Sequence, residues 1–240
     1  MNKTGRLLLM TMAIASSAGV SLSTYAGGVG IDATRIIYPQ QSKSVATSVR
    51  NNDSSAYLTQ VSVSKTLSGG QAPFVVTPPL FRMEPRTHNQ IKITKLSGTE
   101  LPSDRESLYW FTMQAIPSVK DISGSPTKVN GAAQIALGTS IKLIYRPANL
   151  PVPPEKGFGM LSFSRAVDGI KIRNASPYYV SFLSFKVGGK ELITNTQTVK
   201  MVAPLSDVVM PARNLAFPSK VNWIAINDIG GEVKFDGEVQ

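Results

Sequence analysis

The chain has 240 residues, with 25 lysines and arginines against 15 acids and a formal net charge of +10. It contains no cysteine and a single histidine, which excludes disulfides, thiol chemistry, cysteine-held metals and a two-histidine zinc site. The basic residues are scattered singly, without a run or an aromatic-interleaved patch, and this argues against nucleic acid as a partner.

The first residues, "MNKTGRLLLMTMAIASSAGVSLSTYAGG", place Lys3 and Arg6 before an apolar run and small residues around Ala26. That is the pattern of a secretory signal peptide over 1–26, cut after Ala26. Ser16, Ser17, Ser21 and Ser23 keep the run short of the about 20 apolar residues a membrane span needs, and no later segment reaches that length, so no membrane insertion is expected. An exported chain without cysteine must be held by packing and hydrogen bonds.

Strand signals then recur at short spacing. "GVGIDATRIIYP", "SVATSVRNN", "YLTQVSVSK", "NQIKITKL", "ESLYWFTMQAIP" and "AAQIALGTSIKLIYRP" are six candidates before Pro147. The proline-rich stretch "RPANLPVPPEKG" cannot continue a sheet and reads as a semi-rigid linker over 148–154. Strands resume with "GMLSFSR", "GIKIRN", "YYVSFLSFKVG", "KELI", "TVKMV", "SDVVMP" and "VNWIAIND". The pattern predicts an all-β protein: one β-sandwich domain over 27–147 and a smaller one over 155–240.

Within this frame, the strand Ala132–Pro147 is unusual. Ile135, Leu137, Ile141 and Leu143 line one face, while Ala136, Gly138 and Ser140 on the other cover little, so the sequence allows an open edge. Charges also interrupt apolar strands. Arg35 sits in "DATRIIYP", Glu106 heads "ESLYWF", Arg146 closes "IKLIYRP" and Asp228 ends "VNWIAIND". Because an unpaired ion away from water costs several kcal/mol, such residues call for partners. For Glu106, Arg146 and Asp228 the choice is between solvated strand ends and one ion network between the domains. His88 reads as a surface or turn residue, Trp110 and Trp223 as core residues. Neither a catalytic constellation nor a glycine-rich phosphate loop is present, so no enzyme, no cofactor and no metal is expected.

The run "LPSDRESLYWFTMQAIP", Leu101 to Pro117, resembles the signature of periplasmic pilus chaperones of the chaperone/usher pathway. "TRIIYP", "TPPLFRMEP", "QIAL…IKLIYRP", "NASPYYV" and "INDIGG" are similar to further family segments in the same order. The resemblance implies two immunoglobulin-like sandwiches joined at an angle with a cleft between them. It implies capture of pilus subunits in the periplasm by donor-strand complementation, and their delivery to an outer-membrane usher. Ala133, Ile135 and Leu137 resemble the donor-strand residues that fill a subunit's groove. Arg35 and Lys142 resemble the basic pair that binds the subunit's terminal carboxylate, and Glu106, Arg146 and Asp228 the interdomain ion network.

Some features depart from the family pattern. Thr112 stands where the signature usually has Asn, and Ala133 is smaller than the usual bulky aliphatic. Lys142 is out of phase with Ile135 and Leu137, so a bulge or strong twist at Gly138 would be needed to bring all three to one ligand. The short connection from Pro117 to Asn130 resembles the short-loop branch of the family. Self-association of the free form is left open. The competing classes, an exported structural pilin or adhesin and a carbohydrate-binding module, call for a cysteine pair with a free N-terminal extension, or for exposed aromatics.

Overall fold

The computed structural model describes residues 28–117, 136–193 and 199–240. The expected signal peptide over 1–26, the donor-strand residues Ala133 and Ile135, and the Pro117–Asn130 connection beyond Pro117 lie outside the described residues.

Among the described residues, the N-terminal half contains ten strands: β1 (Val29–Ile31), β2 (Arg35–Pro39), β3 (Val45–Asn51), β4 (Tyr57–Thr66), β5 (Gly69–Gln71), β6 (Phe74–Thr77), β7 (Leu80–Met83), β8 (Thr87–Lys95), β9 (Ser107–Pro117) and β10 (Leu137–Arg146). They form two facing sheets, ordered β1-β3-β8-β6 and β2-β10-β9-β4-β5, with β7 added to β4. Alternation explains the packing. On β9 the residues Tyr109, Phe111, Met113 and Ala115 are buried, and the first three meet Val49, Ile91 and Ile93 of the opposite sheet in one core.

The segment expected to be one strand, residues 28–39, is two. β1 pairs antiparallel with β3, then the chain bends at Asp32–Thr34 and β2 pairs parallel with β10 in the other sheet. The buried phase changes from odd at Ile31 to even at Ile36 and Tyr38, as a crossing between layers requires. The bend is held by the Asp32 N–H donating to the Ser48 carbonyl at 2.9 Å and by an ion pair between Asp32 and Arg50.

After β10, the proline-rich stretch forms a single helical turn, α1 (Pro154–Gly157). Gly157 lies flat against the Tyr178 ring, where an added Cβ would come within 2.3 Å of it. The C-terminal half contains β11 (Leu161–Ala166), β12 (Gly169–Asn174), β13 (Val180–Val187), β14 (Lys190–Glu191), β15 (Met201–Val202), β16 (Ser206–Pro211), β17 (Ser219–Ile226) and β18 (Glu232–Val239). Strands β14-β13-β17-β18 join β11-β12-β16 through the single parallel pair Phe163↔Val239, and β15 adds to β13. Ile170, Ile172, Phe185, Val221 and Trp223 fill the space between the two groups. β18 was not among the expected strands, although Val233, Phe235 and Val239 alternate there with Glu232, Lys234, Asp236 and Glu238.

Candidate functional site between the two domains

β10 has two different edges. Against β9 its register runs unbroken from Leu137↔Ala115 to Tyr145↔Ser107, so the bulge at Gly138 that a common face would need does not occur. The continuous ladder to β9 keeps the strict alternation, and Leu137 and Lys142 face opposite sides. On the other edge, β2 covers only Lys142 to Arg146, beginning with the pair Lys142↔Arg35. Among the described residues, 137–141 therefore pair with β9 alone. Residues 137–140 are exposed on both faces, Leu137 at 43%, whereas Leu143 and Tyr145 of the same strand belong to the core.

The opposite phase of β10 faces the C-terminal half. Lys142 donates from Nζ to Ser181 Oγ at 2.8 Å, and its parallel neighbour Arg35 donates from Nη1 to the Ile226 carbonyl at 2.9 Å. Both cations line a cleft of about 310 Å³ whose walls include Trp110, Ile141 and Ile226. Among the described residues neither forms an ion pair with a carboxylate, and the buried Arg35 Nε has no acceptor. Burial lowers the Lys142 pKa to about 8, with the adjacent Arg35 charge adding to the effect. Burial likewise lowers the Arg35 pKa, against the attraction of Asp228 and Glu106. Two desolvated cationic donors side by side are chemically able to hold an anion.

Four residues further along β10, Arg146 completes the contact between the halves. Its Nη1 and Nη2 donate to both oxygens of Asp228 at 2.6 and 2.7 Å, its Nε donates to Glu106 Oε1 at 2.7 Å, and its guanidinium stacks over the Tyr178 ring at 5.2 Å. Glu106 is 3% exposed and accepts the Tyr179 N–H on its other oxygen at 2.8 Å. Burial pushes the Glu106 pKa up, while Arg146 and the Tyr179 N–H oppose the rise. For Arg146, burial alone would lower the pKa; the two carboxylates override it and raise it. The structure thus brings Glu106, Arg146 and Asp228 together across the two halves, with Asp228 presented by a turn in which Asn227 Oδ1 accepts the N–H groups of Ile229 and Gly231.

Trp110 differs from expectation. It is the Cα partner of Lys142, only half buried, and lines the cleft instead of joining the core, because its even phase on β9 is opposite that of Tyr109 and Phe111. The sequence likewise gives no sign that Ser181 and Thr34 reach the cleft, and it shows Ser140 only as a small residue that covers little. The serines and threonine carry no pattern of their own; only the register and the close approach of the halves reveal them. A second exposed surface lies on the outer face of the same sheet, where Leu58 pairs with Ile116 and, on the other edge of β4, the exposed Leu80 of β7 pairs with Gln60. His88 lies on β8 with an exposed side chain.

The family model for the pili and flagellar-assembly chaperone PapD N-terminal domain matches residues 28–151, and that for the pili assembly chaperone PapD C-terminal domain matches residues 158–236. The chain is 36% identical over 204 residues to the chaperone protein FocC of Escherichia coli, covering 85% of this chain and 86% of that one. It is 34% identical over 215 residues to the chaperone protein HifB of Haemophilus influenzae, with 88% and 87% covered. Among solved structures, the E. coli chaperone DraB superposes with a TM-score of 0.76 at 31% identity, over 89% of this chain and 97% of that one. The Salmonella enterica SafB chaperone, solved in complex with the SafA pilin, gives 0.73 at 30% identity over 90% and 98%. The two halves are accordingly immunoglobulin-like sandwiches, and the chain belongs to the PapD family of pilus assembly chaperones.

Proposed function

We propose that this chaperone acts in the periplasm, captures pilus subunits by lending them the edge of β10, and hands them to an outer-membrane usher. The observation that carries this reading is the divided edge of β10: β2 covers it only from Lys142 onward, and the open stretch 137–141 ends at two cations that pair with no carboxylate among the described residues. An extended segment of a subunit adds to that open stretch by main-chain pairing, and its terminal carboxylate is held by Arg35 and Lys142. With the carboxylate at Lys142, the captured strand runs parallel to β10, in line with β2. Leu137, on the face opposite Lys142, then packs with the subunit, together with Ala133 and Ile135.

Glu106, Arg146 and Asp228 hold the two domains at the angle that forms the cleft. The exposed Leu58, Leu80 and Ile116 supply an apolar docking face separate from the cleft, suited to the usher. The pilin complex of the related SafB chaperone supports the same partner class here.

The test is binding of a peptide from a subunit's C-terminus, as free acid and as amide, to the native protein and to Arg35→Ala and Lys142→Ala. Charge-assisted hydrogen bonds contribute about 1.5 to 3 kcal/mol each, so either substitution, or amidation, weakens binding by roughly one to two orders of magnitude. Equal binding of acid and amide contradicts the anchor.

A further inference from the structure

We propose that Ser140 and Thr112 form a reading site for the side chain of the captured strand's last or last-but-one residue, and that this site selects a long, uncharged side chain with a hydrogen-bonding tip. The inference rests on the strand-lending reading above and deepens it. A strand lying parallel beside residues 137–141 presents, opposite Ser140, a residue whose side chain emerges on the same face as Ser140 and Lys142. That residue is at or next to the chain end, because the carboxylate stops at Lys142 and Arg35.

Around this position β10 is bare. Gly138 has no side chain, an added Cβ there would meet nothing within 4 Å, and Ser140 is small. An incoming side chain is therefore free to lie across β10 toward β9. There it meets Thr112, the Cα partner of Ser140. Thr112 Oγ1 and Ser140 Oγ are 2.8 Å apart, so one hydroxyl donates to the other and the pair keeps one proton and unshared lone pairs facing outward. Such a pair accepts from, or donates to, an amide or hydroxyl tip. Trp110, two residues before Thr112 on the same face, supplies an apolar wall for the stem. A cationic tip is repelled by Lys142 and Arg35, and an acidic tip competes with the terminal carboxylate for those same cations.

The test uses fluorescence polarisation with labelled synthetic peptides of about ten residues, alternating Thr and Val. Each carries a free terminal carboxylate, and each of the last two positions is set in turn to Gln, Leu or Lys. At one of the two positions the Gln peptide binds about three- to tenfold more tightly than the Leu and Lys peptides, the value of one net hydrogen bond. In the double variant Thr112→Val with Ser140→Ala, the Gln peptide falls to the level of the Leu peptide. Equal affinity of Gln and Leu peptides at both positions on the native protein overturns the proposal, as does a preference that persists in the double variant. Amidating the Gln peptide on the native protein separates the two layers. If the acid is preferred while side chains are not discriminated, only the reading site is refuted; if acid and amide bind equally, the anchor fails and the reading site with it.

Discussion

Arg146 and Asp228 form a bidentate pair, at 2.6 and 2.7 Å, in which the arginine ends the strand that bears the open edge and the aspartate belongs to the other domain. The angle of the cleft is thereby tied to the strand proposed to capture subunits. Glu106, almost completely buried, holds the third nitrogen of the same guanidinium, so its removal leaves both Arg146 Nε and the Tyr179 N–H without an acceptor. Glu106→Ala is expected to cost about 3 to 5 kcal/mol in a denaturant titration. Asp228→Ala, whose side chain is 34% exposed, costs less because water reaches the vacated site. Equal and negligible effects of both would contradict a buried network.

A pH dependence follows from Lys142. In the free protein its pKa is lowered to about 8, and a bound carboxylate raises it again. Affinity for a free-acid peptide is therefore flat well below pH 8. It then falls by up to tenfold per pH unit above about 8, until the pKa of the bound state is passed. Lys142→Met binds more weakly and without this slope. Stability moves in the opposite sense. The unfolded chain keeps the proton up to about 10.5 whereas the folded chain releases it near 8, so the buried charge opposes folding below pH 8 and ceases to do so as the pH rises. Lys142→Met is accordingly more stable than the native protein at pH 7, by on the order of 1 to 3 kcal/mol, and the difference shrinks toward pH 10. Parallel denaturant titrations at pH 7 and pH 9.5 check both signs.

Gly230 approaches Thr34 across the domain junction. Its φ of +87° is a conformation that suits glycine, and an added Cβ would lie 2.7 Å from Thr34 Oγ1. Gly230→Ala is expected to displace the turn carrying Asp228 and to lower stability by about 1 to 3 kcal/mol. Adding Thr34→Ala relieves the contact but not the backbone strain, so calorimetry should show partial recovery. Complete recovery would assign the whole effect to the contact.

These residues were unequally visible in the sequence. Glu106, Arg146 and Asp228 stood out because charges at the ends of apolar strands need partners, and the structure brings those three together. Trp110 was misread because an aromatic in an apolar run suggests a core, although the phase set by Tyr109, Phe111 and Met113 already places it on the other face. The division of residues 29–39 between two sheets leaves only a change of phase between Ile31 and Ile36, which a continuous apolar run conceals. β18 escaped because its charged residues outweigh its alternating Val233, Phe235 and Val239. The extent of the open edge is a matter of register. Nothing local in "LGTSIKLIYR" states that β2 begins to cover it at Lys142.

The first part of β10 is proposed to serve a client, whereas the second part serves the fold. The direct test compares charge insertion at two positions of the same phase, Leu137→Glu and Leu143→Glu, by thermal melting and by retention of pilus subunits in a pull-down. Leu143 is fully buried, and a carboxylate there costs several kcal/mol and abolishes the cooperative melt. Leu137 is exposed, and the same change leaves the melt within a few degrees of the native protein while capture falls, since burying this side chain against a subunit contributes about 1.5 to 3 kcal/mol. Combining Ile135→Glu with Leu137→Glu deepens the loss of capture and again spares the melt. A Leu137→Glu protein that is unfolded, or a folded double variant that retains subunits as well as the native chain, would contradict the account.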